Sequence, residues 1–320
     1  MDALTRLFLV ILAALGLAPL SAQDGQSARR VAITIDDVPR APGVFLSEDE
    51  RARTLIQGLA EAGVEQAAFF LNPGQIAKRE GAQARIDAYV KAGHVIANHT
   101  ADHPRLSQVS AEAFLADIDA AAQWLEGRKS TRPWFRFPYL DEGRSDKTKR
   151  DAVRTGLVER GLSNAYVTID ASDWFYEGAA QKAVREGKAI NREALGQLFV
   201  ESHLEAAEFY AALAERTLKR SPAHILLLHE TDLVALHITD LVTALQNKGW
   251  EIVTVDEAYA DPIAFEALRY DTPSAGGTLT EMIAWQRGEP SPRWYARNDT
   301  RLAEAEFRTR VLGGEDKSED

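Results

Sequence analysis

One phrase recurs along the sequence and narrows the fold more than any other feature. An amphipathic helical stretch closes on a glycine, and a short apolar run follows. Stretch 84–92 stops at Gly93 before run 94–98, 111–126 stops at Gly127 before 133–137, and 146–160 stops at Gly161 before 164–170. Towards the C-terminus, 233–248 stops at Gly249 before 251–255. Glycine at such a place takes the left-handed conformation that ends a helix. An earlier helix opens on the capping box Ser47-Glu48-Asp49-Glu50 and ends at Gly63, ahead of the run 67–71. With runs 31–37 and 223–229 the strands number about seven, near what a closed barrel needs. Strands alternating with helices specify a parallel sheet covered by helices. The expected fold is a distorted (β/α) barrel of about seven parallel strands. An open doubly wound sheet is the alternative, but no Gly-rich phosphate loop follows any strand, which weakens its nucleotide-binding form.

The rhythm is broken twice. Residues 175–191 read as polar and irregular, and 192–219 as a long amphipathic helix, a helical insertion at about 175–220 expected to lie over the barrel mouth. After Asp261 the prolines at 262, 273, 290 and 292 and the pair Gly276-Gly277 end the regular pattern. In this C-terminal extension, 261–320, Leu302–Val311 reads as a last helix and Gly313–Asp320 as a disordered, charged tail. Trp285, Trp294 and Tyr295 are expected to pack against the barrel. At the other end Arg6 precedes an apolar run from Leu7 to Leu17, too short to span a bilayer comfortably, and Leu20-Ser21-Ala22 resembles a cleavage site. Residues 1–22 are therefore expected to be a signal peptide, leaving 23–260 as the main domain, exported to the periplasm without a stable membrane anchor. The 37 basic and 48 acidic residues give a net charge of −11, which argues against a nucleic-acid partner. The absence of cysteine excludes disulfides and thiolate metal sites.

In parallel α/β folds function gathers where strands end. Here the first strand, Val31-Ala32-Ile33-Thr34-Ile35, ends in Asp36-Asp37. Two adjacent carboxylates repel, and a cation, or an Arg beside one of them, offsets that cost. Later strands end in Asn98-His99-Thr100-Ala101-Asp102-His103, in Arg136-Phe137-Pro138-Tyr139, in Asp170-Ala171-Ser172-Asp173-Trp174 and in Leu227-Leu228-His229. Taken singly, each strand end has a structural explanation; taken together, they place ionisable groups on one rim. His99 and His103, four apart, can present two imidazoles to one ion, and Asp37 adds a carboxylate. Two histidines and one carboxylate with open positions suit Zn²⁺ or a related divalent ion. His94, at a strand start, reads as structural, as do His203, His224 and His237, which sit in or beside helix and strand patterns without acidic partners.

These motifs, in this order, resemble the NodB-homology polysaccharide deacetylases, carbohydrate esterase family 4, from about Val31 to Tyr259. Thr34-Ile35-Asp36-Asp37 matches the family's Thr-Phe-Asp-Asp with one conservative change. The resemblance implies Asp36 as general base and Asp37, His99 and His103 as ligands of one divalent ion, most simply Zn²⁺, with Co²⁺ or Ni²⁺ as substitutes. It implies that Arg136 holds the base, the Tyr139 amide faces the oxyanion, Asp173 orients His229 as general acid, and Trp174 walls the acetyl pocket. The substrate implied is an acetylated poly- or oligosaccharide, losing N-acetyl or O-acetyl groups. Two other readings are a catalytically weak glycan-binding relative and an amidohydrolase for a non-sugar amide on the same scaffold. One departure stands out. The family follows the Asp pair with Gly-Pro, whereas Val38-Pro39-Arg40 follows here, and the Val38 side chain is expected to narrow the groove.

Overall fold

The computed structural model describes residues 29–314. The signal peptide expected at 1–22 and the end of the tail expected after Gly313 lie outside the described residues. Strands β1 (Arg29–Val38), β2 (Ala68–Leu71), β3 (Val95–Asn98), β4 (Thr131–Phe135), β6 (Ser163–Asn164), β7 (Ala223–His229) and β8 (Trp250–Ile252) form one sheet. Its order is β6-β4-β3-β2-β1-β7, with β8 against the start of β1, and every pair is parallel. The sheet curls into the barrel expected from the strand–helix rhythm. The chain beyond β6 reaches β7 through a bridge between Ile169 and Leu226, bringing the two sheet edges together. The predicted strand 164–170 thus shrinks to a two-residue strand and an irregular run, because it meets β7 at only that bridge. The remaining strand ends differ from the expected runs by at most three residues, near the usual extent of disagreement. A second, antiparallel pair, β5 (Asp141–Arg144) with β9 (Ala275–Gly276), had no local signal.

The helices are α1 (Glu48–Glu61), α2 (Ala82–Lys91), α3 (Ala111–Leu125), α4 (Lys147–Glu159), α5 (Asp173–Arg185), α6 (Arg192–Leu218), α7 (Asp232–Asn247), α8 (Val255–Tyr259), α9 (Leu279–Gln286) and α10 (Thr300–Glu306). Ser47 and Glu50 form the predicted capping box on α1. Gly63 and Gly249 adopt φ of 74° and 82°, closed to most side chains but open to glycine. Strand β1 is buried on both faces, which is why it reads as a continuous apolar run. Val31, Ile33 and Ile35 pack with α1 and α7 in one core cluster, whereas Ala32 faces the barrel interior with Phe70, Ile225 and Leu227. Gly58 on α1 sits against buried Ile238 of α7, where an added Cβ would come within 2.6 Å of a methyl carbon. Gly58→Ala should therefore destabilise by about 1 kcal/mol net, the clash outweighing the gain in helix propensity. Thermal unfolding of the two proteins checks this.

Two expectations about the insertion fail. Residues 173–185 are helical rather than irregular, since Tyr176, Ala180 and Ala183 bury one helical stripe under otherwise polar residues. Helix α6 forms as predicted but packs against α7 and α9 on the barrel's flank, not over its mouth. Beyond Asp261 the chain packs into the core too: Ile263, Tyr270, Leu279 and Ile283 join the interior cluster, and Tyr295, Phe307 and Val311 join the flanking one. Of the three aromatics, Tyr295 is buried and Trp285 half-buried as expected, but Trp294 is 49% exposed. Among the described residues no helix is long and apolar enough to cross a membrane.

Candidate active site

The carboxyl ends of the strands open into a cavity of about 490 Å³. Asp36 and His229 stand opposite each other in the β1–β7 register and fall on the barrel-interior parity of their strands. By the same alternation Asp37 would point away. It does not, because its φ of 64° and a register shift after Ile35 turn the chain, so both carboxylates line the cavity. The same device recurs around the rim: Thr100, His103, Tyr139, Leu140, Arg144 and Ser172 all have positive φ, between 49° and 64°. Each is a strained conformation for a side-chain-bearing residue and persists only where its surroundings impose it.

The Asp36 carboxylate is buried, with Arg136 Nη1 donating to its two oxygens at 3.0 and 3.2 Å. Arg136 is itself immobilised: Nε donates to the Ala165 carbonyl, Nη2 donates to Tyr259 Oη at 2.8 Å, and Phe70 lies beneath the guanidinium. On the opposite strand, buried Asp173 receives His229 Nδ1 at 2.6 Å and the His229 backbone N–H at 2.8 Å. Burial alone would lower the His229 imidazole, but the charge and hydrogen bond of Asp173 outweigh it and push the pKa up to about 9. The imidazole is therefore charged at neutral pH.

Asp37 Oδ1, His103 Nε2 and His99 Nε2 form a triangle with sides of 3.0, 3.2 and 3.5 Å. His99 Nδ1 lies 2.8 Å from the Arg136 carbonyl, which must accept its proton, so Nε2 offers a lone pair. Burial keeps His103 below the ordinary imidazole value. Asp37 is driven up by burial but held well below the usual carboxylate range by the two imidazoles. Its Oδ1 is buried without a hydrogen bond of acceptable geometry. Donor atoms 2.0–2.1 Å from a tetrahedral cation lie about 3.3 Å apart, close to this triangle, so the three residues fit one divalent ion. Among the described residues they are a group that could hold a metal ion.

Every residue singled out for the site lines this cavity or supports it. Tyr139 is 47% exposed, with its ring 4.5 Å from His103 and the Arg105 guanidinium 3.5 Å above it. Trp174, 44% exposed, forms another wall. Val38 does not narrow the groove: it is fully buried, and Arg40 intrudes instead, its Nη1 at 2.5 Å from Asp37 Oδ2. His94 is structural as expected, accepting from the Ala67 N–H on Nδ1, and burial takes it down to about 4. His237, however, does have an acidic partner, Asp240 at 3.3 Å. Sequence reasoning missed Arg40, Arg105, Arg144, Tyr259 and Asn298. Asn298 arrives from the C-terminal segment, donating to the Asp170 carbonyl at 3.0 Å and accepting from Ser172 Oγ at 3.0 Å. No short motif announces such a contact.

A curled parallel sheet thus carries two carboxylates, a histidine–aspartate pair and a His₂Asp cluster at its mouth. Residues 23–159 match the polysaccharide deacetylase family. The match covers less than half of the chain and is to the family that the strand-end motifs resemble. Asp36, Asp37, His99, His103, Arg136 and Tyr139 fall inside the matched span; Asp173, Trp174 and His229 fall outside it and reach the site through the fold. The protein YlxY of Bacillus subtilis, uncharacterized, is 22% identical over 60% of this chain and 48% of its own, so the chain spans about half the length of that relative. A family 4 pseudoenzyme of Bacillus anthracis is structurally similar at 18% identity and TM-score 0.50, over 72% of this chain and 66% of that one. A family 4 carbohydrate esterase of Streptomyces lividans, solved with acetate, has 19% identity and TM-score 0.48, over 73% and 96%. The likeness to the Bacillus anthracis protein bears on the fold.

Proposed function

We propose that the protein is an exported, metal-dependent deacetylase that hydrolyses N-acetyl or O-acetyl groups of a poly- or oligosaccharide. The observation that carries this reading is the pairing of Asp36, locked by Arg136, with His229, locked by Asp173, on either side of the His₂Asp cluster. A divalent ion held by Asp37, His99 and His103, Zn²⁺ by the chemistry of its donors, would supply a Lewis acid and a more acidic water. Asp36 accepts a proton from the water that attacks the acetyl carbon. The Tyr139 N–H donates to the oxyanion that develops. His229 donates its proton to the leaving amine as the carbon–nitrogen bond breaks, and acetate and a free amine result. For an acetyl ester the leaving group is an alcohol. Trp174 walls the acetyl pocket.

The test is acetate release from acetylated oligosaccharides by zinc-loaded protein. Release that stops on chelation and returns with one equivalent of ion per chain supports the reading. Tight glycan binding with no release would instead favour a binding relative, a live contrast because a pseudoenzyme shares this fold. Release from non-sugar acetamides alone would point to an amidohydrolase. Export is tested separately. The main domain is taken to begin at residue 23, and mass spectrometry of the periplasmic protein should find a chain starting near Gln23. A chain retaining Met1 in the membrane fraction would contradict this.

A further inference from the structure

A second cavity, of about 590 Å³, opens beside the first. Arg144, Asp170, Gly277 and Asn298 line both, so a ligand longer than the first cavity passes over these residues into the second. The far wall comes from the C-terminal segment and includes Trp285 and Trp294. Trp294 leaves about half of its surface, 49%, in contact with solvent. An exposed indole offers a flat apolar face and a polar edge, the combination that suits a sugar ring. Trp285 is covered by the Arg293 guanidinium, 5.4 Å from its ring centre.

Arg144 stands at the junction. Its guanidinium lies against Gly276, where a Cβ would come within 2.5 Å of Nη1, so the glycine makes room for it. Asp141 is its nearest acid at 3.6 Å, but that carboxylate is buried and already accepts from Ser107 and Gly143. The Arg144 side chain remains 46% exposed. The acids of the second cavity, Asp170 and Glu281, are engaged or muted. Glu281 accepts from Tyr210 Oη at 2.6 Å and from the Thr278 N–H at 2.8 Å, and burial pushes its pKa up to about 7. Burial likewise raises Asp170. In a chain of net charge −11, this cavity presents two guanidinium groups, Arg144 and Arg293. A guanidinium pairs with a carboxylate through two parallel hydrogen bonds.

We propose that the C-terminal segment builds a second sugar-binding subsite, in which a carboxylate-bearing ring next to the acetylated unit stacks on Trp294 and pairs with Arg144. The subsite deepens the deacetylase reading and takes its substrate class from it. Its test is read by binding. Calorimetry on the zinc-loaded full chain compares two disaccharides, a hexosamine joined to glucuronate and the same hexosamine joined to glucose. The uronate compound should bind about 10-fold more tightly, a difference of about 1.4 kcal/mol. Trp294→Ala should weaken both, and Arg144→Gln should erase the preference. Because Arg144→Gln can disturb the β5–β9 pair, salt provides a second reading on the unaltered chain. The uronate preference should shrink as ionic strength rises. Equal binding of both compounds, a preference indifferent to salt, or unchanged binding in Trp294→Ala would each overturn the subsite. Loss of acetate release with this binding pattern intact would remove the deacetylase reading alone, and acetate release with flat binding would remove the subsite alone.

Discussion

Asp36→Asn is expected to lower kcat for acetate release by roughly 10³-fold while leaving one equivalent of zinc bound. The substitution keeps the shape of the side chain and the contact with Arg136 Nη1 on the remaining oxygen. It removes only the group proposed to take up the proton. His103→Ala should behave in the opposite order. It deletes one corner of the 3.0, 3.2 and 3.5 Å triangle, so the ion is lost first and turnover with it. Metal analysis beside a kinetic assay separates the two cases. If Asp36→Asn also emptied the site, Asp36 would be a ligand and the proposed division between the two aspartates would be wrong.

His229→Ala should slow an acetamide substrate by about 10²- to 10⁴-fold and an activated aryl acetate far less, since a good leaving group departs without a proton. The pH profile gives an independent reading. A group with a raised pKa is charged below that value and loses its proton as pH rises through it. In the proposed acid role His229 would donate at neutral pH, and wild-type activity on the amide should fall on the alkaline side near pH 9. Asp37 contributes part of that elevation, and a bound cation would neutralise it, moving the limb to lower pH. With the aryl acetate the same limb should be absent in both proteins. Equal losses on both substrates would contradict the acid role.

The barrel was legible because each strand is a run of apolar residues, most of them preceded by a glycine and closed by a polar end. Val31 to Ile35 and Ala223 to Leu228 are buried on both faces, and their composition declares it. Segment 164–170 was overread, since residues held by one bridge are as apolar as residues in a full ladder. Helix α5 was underread because Tyr176, Ala180 and Ala183 are a thin stripe among polar neighbours. At the site, residues within a strand end were visible as motifs: Asp36-Asp37, His99 with His103, Arg136 with Tyr139. Partners from elsewhere were not. Tyr259 meets Arg136 across 123 positions, and Asn298 meets Asp170 across 128. Val38 misled for a different reason: parity along a bulged strand end cannot be counted, so the side chain that intrudes is Arg40.

The positive-φ residues of the rim have a consequence for how this protein could change. Asp37, Thr100, His103, Tyr139, Arg144 and Ser172 each hold a conformation costing about 1 kcal/mol or more for an L-residue. Their sum is comparable to the whole margin of about 5–15 kcal/mol by which an ordinary domain stays folded. Glycine at any of them would relieve strain, and at all but Thr100 it would delete a wall or a ligand together. Selection for heat resistance alone would therefore drift towards glycine around the mouth and leave a hardier barrel with an eroded cavity. Stability and chemistry compete here at the same backbone positions, and a thermostable variant that keeps its turnover must find its gains in the helices and core.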